Sequence, residues 1–187
     1  MRLGIFGGTF DPPHVGHLIA AQDACEQLKL DRLVFVPTSV QPLKGGAESA
    51  AASDRAAMVR LLADGDSRFS VDCVEIDRGG LSFTVDTLRQ LRTRWPEAGV
   101  DLVLLLGADA AGQFEKWKEP DTIRSLATVA VLTRGASAPR PGFEVVPTRR
   151  VDISSTEIRE RVRAGMAIRG LVTESVADYI AQHGLYH

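Results

Sequence analysis

An α/β fold built on one doubly wound, mainly parallel sheet is predicted by three observations. Short apolar runs recur along the 187 residues, they alternate with longer stretches of helical period, and their dense Val, Leu and Ile content marks strands covered on both faces. That alternation is the βαβ rhythm of a Rossmann-like domain with right-handed crossovers and helices on both faces of the sheet. At 44% hydrophobic and 25% charged residues, the chain suits a single domain with one core. We place the core of the domain over residues 1–150 and a C-terminal helical part over 151–187.

The strands expected first are 3–8, 32–37, 101–107 and 128–134, each an apolar run closed by Gly, Pro or Arg. Weaker candidates are 69–76 and 143–147. Helices are expected between them. Residues 16–28 carry Leu18, Ala21, Cys25 and Leu28 at helical spacing, 53–63 carry Met58, Leu61 and Leu62, and 84–94 carry Val85, Leu88 and Leu91. Late in the chain, Ser154 with Glu157 has capping-box spacing, and Thr173 is placed to cap a last helix closed by Gly184. Two segments read as loops: 44–52 (KGGAESAAA), expected to be mobile, and 135–142 (GASAPRPG).

Charge and cysteine usage exclude several functions. With 22 basic and 24 acidic side chains, nothing global attracts nucleic acid or an anionic membrane, so a bound anion must be met by a local site. Cys25 and Cys73 have neither CxxC spacing nor companion histidines, which argues against a disulfide framework or a zinc site. The run around 102–106 falls far short of the ~20 apolar residues that span a bilayer. The N-terminus lacks a basic stretch followed by an apolar one. A cytoplasmic location is expected, with no membrane partner; self-association is left open.

Chemistry concentrates in GGTFDPPHVGH, residues 7–17. In an open parallel sheet the loop after the first strand is where a phosphate commonly binds. Gly7 and Gly8 carry no Cβ to obstruct a ligand, and Gly16 and His17 open a helix whose first amides and dipole favour an anion. His14 and His17, three apart, fall on one side of the first turn. Pro12 and Pro13 stiffen the approach. The loop is not GxxxxGK[ST], so a P-loop is excluded. It is not GxGxxG, and the second strand ends without the acidic residue that would hold a dinucleotide ribose, which disfavours an oxidoreductase.

The same residues resemble the signature of the HxGH nucleotidyltransferase superfamily, with His14-Val15-Gly16-His17 as the signature itself. ISSTEIR at 153–159 is similar to that superfamily's second motif. Further segments look like nicotinate-mononucleotide adenylyltransferases: Phe35-Val36-Pro37 with Pro42-Leu43-Lys44, Ser82-Phe83-Thr84 with Asp86-Thr87-Leu88, and Gly107-Ala108-Asp109 with Trp117-Lys118. Leu43 stands where that family often has His, and Phe83 where it often has Tyr. The resemblance runs from residue 3 to about residue 160.

The resemblance implies transfer of AMP from ATP to nicotinate mononucleotide, in line and without a covalent enzyme intermediate, with Mg2+ arriving on ATP. His14, His17, Lys44 and Arg159 would be the catalytic residues: His17 at the α-phosphate, His14 at the adjacent phosphates, and Lys44 and Arg159 on the leaving pyrophosphate. ATP would be bound by Gly7, Gly8, Thr9, Phe10, His14, His17, Asp109, Ser155, Thr156 and Arg159. Nicotinate mononucleotide would be held by Thr84, Trp117, Arg134 and Lys44. No protein metal site is expected, although Asp11 is a candidate outer-shell partner of the ion. Two other functions remain open from the sequence: another HxGH adenylyltransferase, for example one acting on phosphopantetheine, and a non-catalytic nucleotide-binding module.

Overall fold

The computed structural model describes residues 1–42, 50–95, 99–134 and 141–187. Six strands, β1 (Arg2–Gly8), β2 (Arg32–Pro37), β3 (Phe69–Val71), β4 (Asp101–Gly107), β5 (Thr128–Arg134) and β6 (Glu144–Thr148), form one sheet in the order β3-β2-β1-β4-β5-β6. Every pairing is parallel. Ile5 lies in register with Val34 on one side and Leu104 on the other.

Side chains of successive strand residues point to opposite faces, and each face has its own core. Phe6, Leu33, Phe35, Val103, Leu105 and Leu132 pack against helices α1 (Val15–Leu28), α2 (Ala52–Ala63), α7 (Ser155–Arg163) and α8 (Glu174–Gln182). Leu3, Ile5, Val34, Val36, Leu104 and Val131 pack against the opposite set: α3 (Val74–Arg78), α4 (Thr84–Arg94), α5 (Ala108–Gly112), a 3-10 turn (Phe114–Lys116) and α6 (Pro120–Leu126). Burial on both faces is why the strands read as continuous apolar runs. Among the described residues, no helix is long and apolar enough to cross a membrane.

The expected strand over 69–76 is corrected: only Phe69–Val71 pairs, and the chain turns into α3 at Val74. Asp72 ends the strand. Its carboxylate accepts from the Val74 amide at 2.8 Å and from Arg94 at 2.6 Å, which stabilises a turn in place of a further ladder bond. Val74 is then buried in the second core. The short elements between β4 and β5 were not anticipated, because pieces of three to seven residues present too few turns for a period to show. Ser154 caps α7 as expected, accepting from the Glu157 amide at 3.1 Å. Thr173 occupies the N-cap of α8 without a side-chain cap bond, and Gly184 follows that helix at φ +58°. Of the two expected loops, 44–52 and 135–142, residues 44–49 and 135–140 lie outside the described residues.

From β1 the chain winds outward through β2 to β3, then returns to the other side of β1 to lay down β4, β5 and β6. The strand order therefore reverses between β1 and β4. A crevice opens at their carboxyl ends, where ligands of such sheets bind.

Candidate functional site

GGTFDPPHVGH begins inside β1 and ends inside α1, so it crosses that crevice. Phe10 takes a left-handed φ of +51°, seldom adopted by a residue with a Cβ. Its buried ring offsets that cost by packing edge-on against Phe6, Phe35 and His17 at centroid separations of 5.9, 5.8 and 5.0 Å. The Phe10 side chain thus supports the loop from beneath, leaving only its backbone for a ligand. The Asp11–Pro12 bond is cis.

The loop is tied down through its carbonyls. Arg55 Nη1 donates to the Thr9 carbonyl at 2.8 Å, Arg159 Nη1 to that of Asp11 at 2.7 Å, and the Ser155 hydroxyl to that of Pro12 at 2.8 Å. The two motifs, far apart in sequence, therefore meet side by side. Arg159 also reaches the Thr156 hydroxyl at 3.2 Å, while Thr156 itself is exposed. Ser155 and Arg159 were expected to face phosphates; here both bond to carbonyls of the first loop.

His14 is the N-cap residue of α1, and its ring stacks on that of His17 with centroids 3.7 Å apart. The His14 amide donates to His17 Nδ1 at 3.2 Å. An accepting Nδ1 places the proton of a neutral imidazole on Nε2. Burial, and secondarily the adjacent His14, hold His17 well below the ordinary histidine range, so near neutral pH it is uncharged, with Nε2–H as its donor.

Beside the loop lies a cavity of ≈ 190 Å³. Gly7, Gly8 and Thr9 form one wall; Thr84, Trp117 and Lys118 are also in its lining, as is Glu75. Thr84 opens α4, and Trp117 follows the 3-10 turn with its ring 5.4 Å from that of Phe114. Thr9 Oγ1 donates to Gln41 Oε1 at 2.9 Å, joining the loops that follow β1 and β2. Asp109 is exposed in the first turn of α5, and Arg134 is the last residue of β5. Lys44 lies outside the described residues.

Three contributors were missed in the sequence. Arg55 is 1% exposed and, besides Thr9, donates to the carbonyls of Ser39 at 3.1 Å and Ala50 at 3.3 Å. Its signal was available: it shares the i, i+3, i+4, i+7 stripe of Met58, Val59 and Leu62, an arginine on an apolar face. Glu75 is buried, with Oε1 accepting from the Thr87 hydroxyl at 2.7 Å, and burial raises its carboxyl above the ordinary range. Tyr186 donates from the far end of the chain to Asp11 Oδ1 at 2.8 Å, a contact no local pattern announces. Asp11, considered as an outer-shell partner of a metal, is 4% exposed and faces inward. Among the described residues, no three His, Cys, Asp or Glu side chains gather as a metal cage.

Known proteins resemble the chain throughout. The cytidylyltransferase-like family matches residues 5–161. A protein of Gemmatimonas aurantiaca named "Probable nicotinate-nucleotide adenylyltransferase" is 51% identical over 199 residues, covering 100% of this chain and 92% of its own. A protein of the same name from Thermus thermophilus is 44% identical over 189 residues, covering 100% of both chains. In structure, the nicotinic acid mononucleotide adenylyltransferase of Plasmodium falciparum complexed with NaAD superposes with a TM-score of 0.80 at 18% identity, covering 99% of this chain and 97% of that one. At that identity the superposition supports the fold alone.

Proposed function

We propose a specific reaction from one premise: the chain belongs to the cytidylyltransferase-like family and, within it, to the nicotinate-nucleotide adenylyltransferases, and is a nucleotidyltransferase. The reaction is transfer of AMP from ATP to nicotinate mononucleotide, giving deamido-NAD and pyrophosphate. A phosphate oxygen of the mononucleotide bonds to the α-phosphorus of ATP while the bond from that phosphorus to the bridging oxygen breaks, and pyrophosphate departs with the electron pair. Such chemistry needs positioning and charge stabilisation rather than a protein nucleophile.

The observation that carries this proposal is the junction of the two motifs, where Ser155 and Arg159 grip the carbonyls of Pro12 and Asp11 beside the stacked histidines. In this assignment His17 Nε2–H donates to the α-phosphate as charge accumulates there, with His14 beside it. The start of α7, with Ser155, Thr156 and Arg159, serves the β- and γ-phosphates. Lys44 completes the pyrophosphate side. Asp109 is assigned to the adenylate ribose.

The cavity on the other side of the loop suits the pyridine end. Trp117 offers a flat face for the ring, and Thr84 with the first amides of α4 offers donors for a carboxylate. Arg134, at the carboxyl edge of β5, is a further candidate for the mononucleotide's anionic groups. Magnesium is assigned to ATP, since it binds largely through phosphate and water. The inward-facing Asp11 gives no reason to name a protein ligand, and no step depends on one.

The test offers the enzyme ATP with nicotinate mononucleotide, nicotinamide mononucleotide or phosphopantetheine and measures pyrophosphate release and the adenylylated product. Turnover of nicotinate mononucleotide is expected. Turnover of phosphopantetheine alone, or ATP binding without pyrophosphate release from any acceptor, would refute the proposal.

A further inference from the structure

We propose that Tyr186 is a positioning residue for the reaction: its hydroxyl, acting through the Asp11 carboxylate, fixes the phosphate loop in the form that receives ATP. This rests on the adenylyl-transfer function proposed above and adds a residue at the opposite end of the chain.

Asp11 is the junction. Its Oδ1 accepts from the Tyr186 hydroxyl at 2.8 Å and from the Ala50 amide at 3.2 Å, while its carbonyl accepts from Arg159 at 2.7 Å. One residue, between Phe10 and the cis proline, is thus tied to Ala50 just before α2, to α7 and to Tyr186. Asp11 is 4% exposed and Tyr186 7% exposed, so water does not readily replace either partner. A hydroxyl bonded to a carboxylate is charge-assisted and stronger than a neutral pair. Burial, then the Asp11 charge, hold the Tyr186 hydroxyl protonated far above the ordinary range, and it remains a donor at any working pH.

Tyr186 itself is fixed well enough to act as a post. Its ring is buried in the same core as Phe10, and its backbone has a left-handed φ of +69°. Loss of the hydroxyl alone leaves the ring packing in place but leaves a buried carboxylate with one donor fewer. Because the protein supplies no nucleophile and acts by positioning, displacement of the loop by about 1 Å is costly, on the order of 10²-fold in unfavourable cases.

Tyr186→Phe removes one oxygen. We expect a folded variant whose kcat/KM for ATP falls about tenfold, with KM for nicotinate mononucleotide within about twofold of wild type. Faster amide hydrogen exchange is expected in residues 8–11 and not in β4 or β5. A purely structural tyrosine gives a different result, a lower melting temperature with unchanged kcat and KM per folded molecule, and that would overturn the proposal. So would an equal rise in both KM values. Calorimetry with a non-hydrolysable ATP analogue keeps the two levels separate: if wild type turns over no nicotinate mononucleotide, the functional assignment fails, while equal analogue affinity in wild type and Tyr186→Phe refutes the role of the tyrosine.

Discussion

His17→Asn is the most direct perturbation of the proposed chemistry. An asparagine amide reaches where Nδ1 lies in histidine and has nothing at the position of Nε2. The substitution therefore retains an acceptor for the His14 amide, now 3.2 Å from Nδ1, while deleting the donor assigned to the α-phosphate. Loss of one preorganised donor to developing charge costs about 3–4 kcal/mol, or roughly 10²–10³ in kcat. His17→Gln is the complement, because its longer amide places a nitrogen near the position of Nε2 and gives up the Nδ1 acceptor. Steady-state pyrophosphate release at saturating substrates, with circular dichroism to confirm folding, should show His17→Asn slowed about 10²-fold or more and His17→Gln recovering part of that loss. If His17→Asn keeps kcat within about threefold of wild type, or if Gln is as slow as Asn, the Nε2–H assignment is wrong.

Gly7 and Gly8 separate ligand approach from packing. A Cβ on Gly7 meets nothing within 4 Å, whereas one on Gly8 falls 2.8 Å from Phe10 Cζ and 3.0 Å from Cε1. Gly7→Ala should leave the melting temperature within about 2 °C but weaken ATP binding by calorimetry, while Gly8→Ala should lose about 1–3 kcal/mol in urea unfolding. Trp117→Leu should raise KM for nicotinate mononucleotide about tenfold with KM for ATP unmoved, from the ~1–3 kcal/mol of a stacked base; parallel rises in both would remove the tryptophan from the pyridine site. His17 also predicts acid sensitivity. Its folded pKa lies below its ordinary value of 6.5, so between the two the unfolded chain holds the extra proton and stability falls as pH drops below about 6.5. The difference in melting temperature between wild type and His17→Asn should change across pH 5–8 in that direction, and a constant difference would show that His17 titrates normally.

Those tests act on residues of very different legibility. The sheet was readable because burial on both faces makes strands such as Leu102 to Leu106 uninterrupted apolar runs, and helices α1, α2 and α4 because they carry three or four apolar residues at helical spacing. The β3 region misled because its apolar letters continue past Val71 while a single carboxylate, that of Asp72, turns the chain. Gly7, Gly8, His14 and His17 were visible because they are contiguous with their strand and helix. Arg55 was half-visible, as a charge on an apolar stripe. Tyr186 was not, since its partner lies 175 residues away and nothing near it has a pattern.

That last category has a physical cause. Four side-chain bonds to the loop over residues 7–17 come from Arg55, Ser155, Arg159 and Tyr186, at separations of 46, 143, 148 and 175 residues. So short a loop cannot fix its own backbone at this precision, because each residue ordered costs about 1–2 kcal/mol of conformational entropy and few internal partners are within reach. Three of those bonds take the carbonyls of Thr9, Asp11 and Pro12 and the fourth takes the Asp11 carboxylate, so these acceptors are engaged with protein. With these acceptors turned to protein, the group assigned to an anion is a donor, the His17 Nε2–H, which is the polarity a phosphate requires. In a chain with a formal net charge of −2, attraction for the two phosphorylated substrates of the proposed reaction has to come from such local orientation rather than from overall charge. Substitutions that disturb ATP binding should therefore map to distant residues that hold the loop's acceptors, and not only to GGTFDPPHVGH.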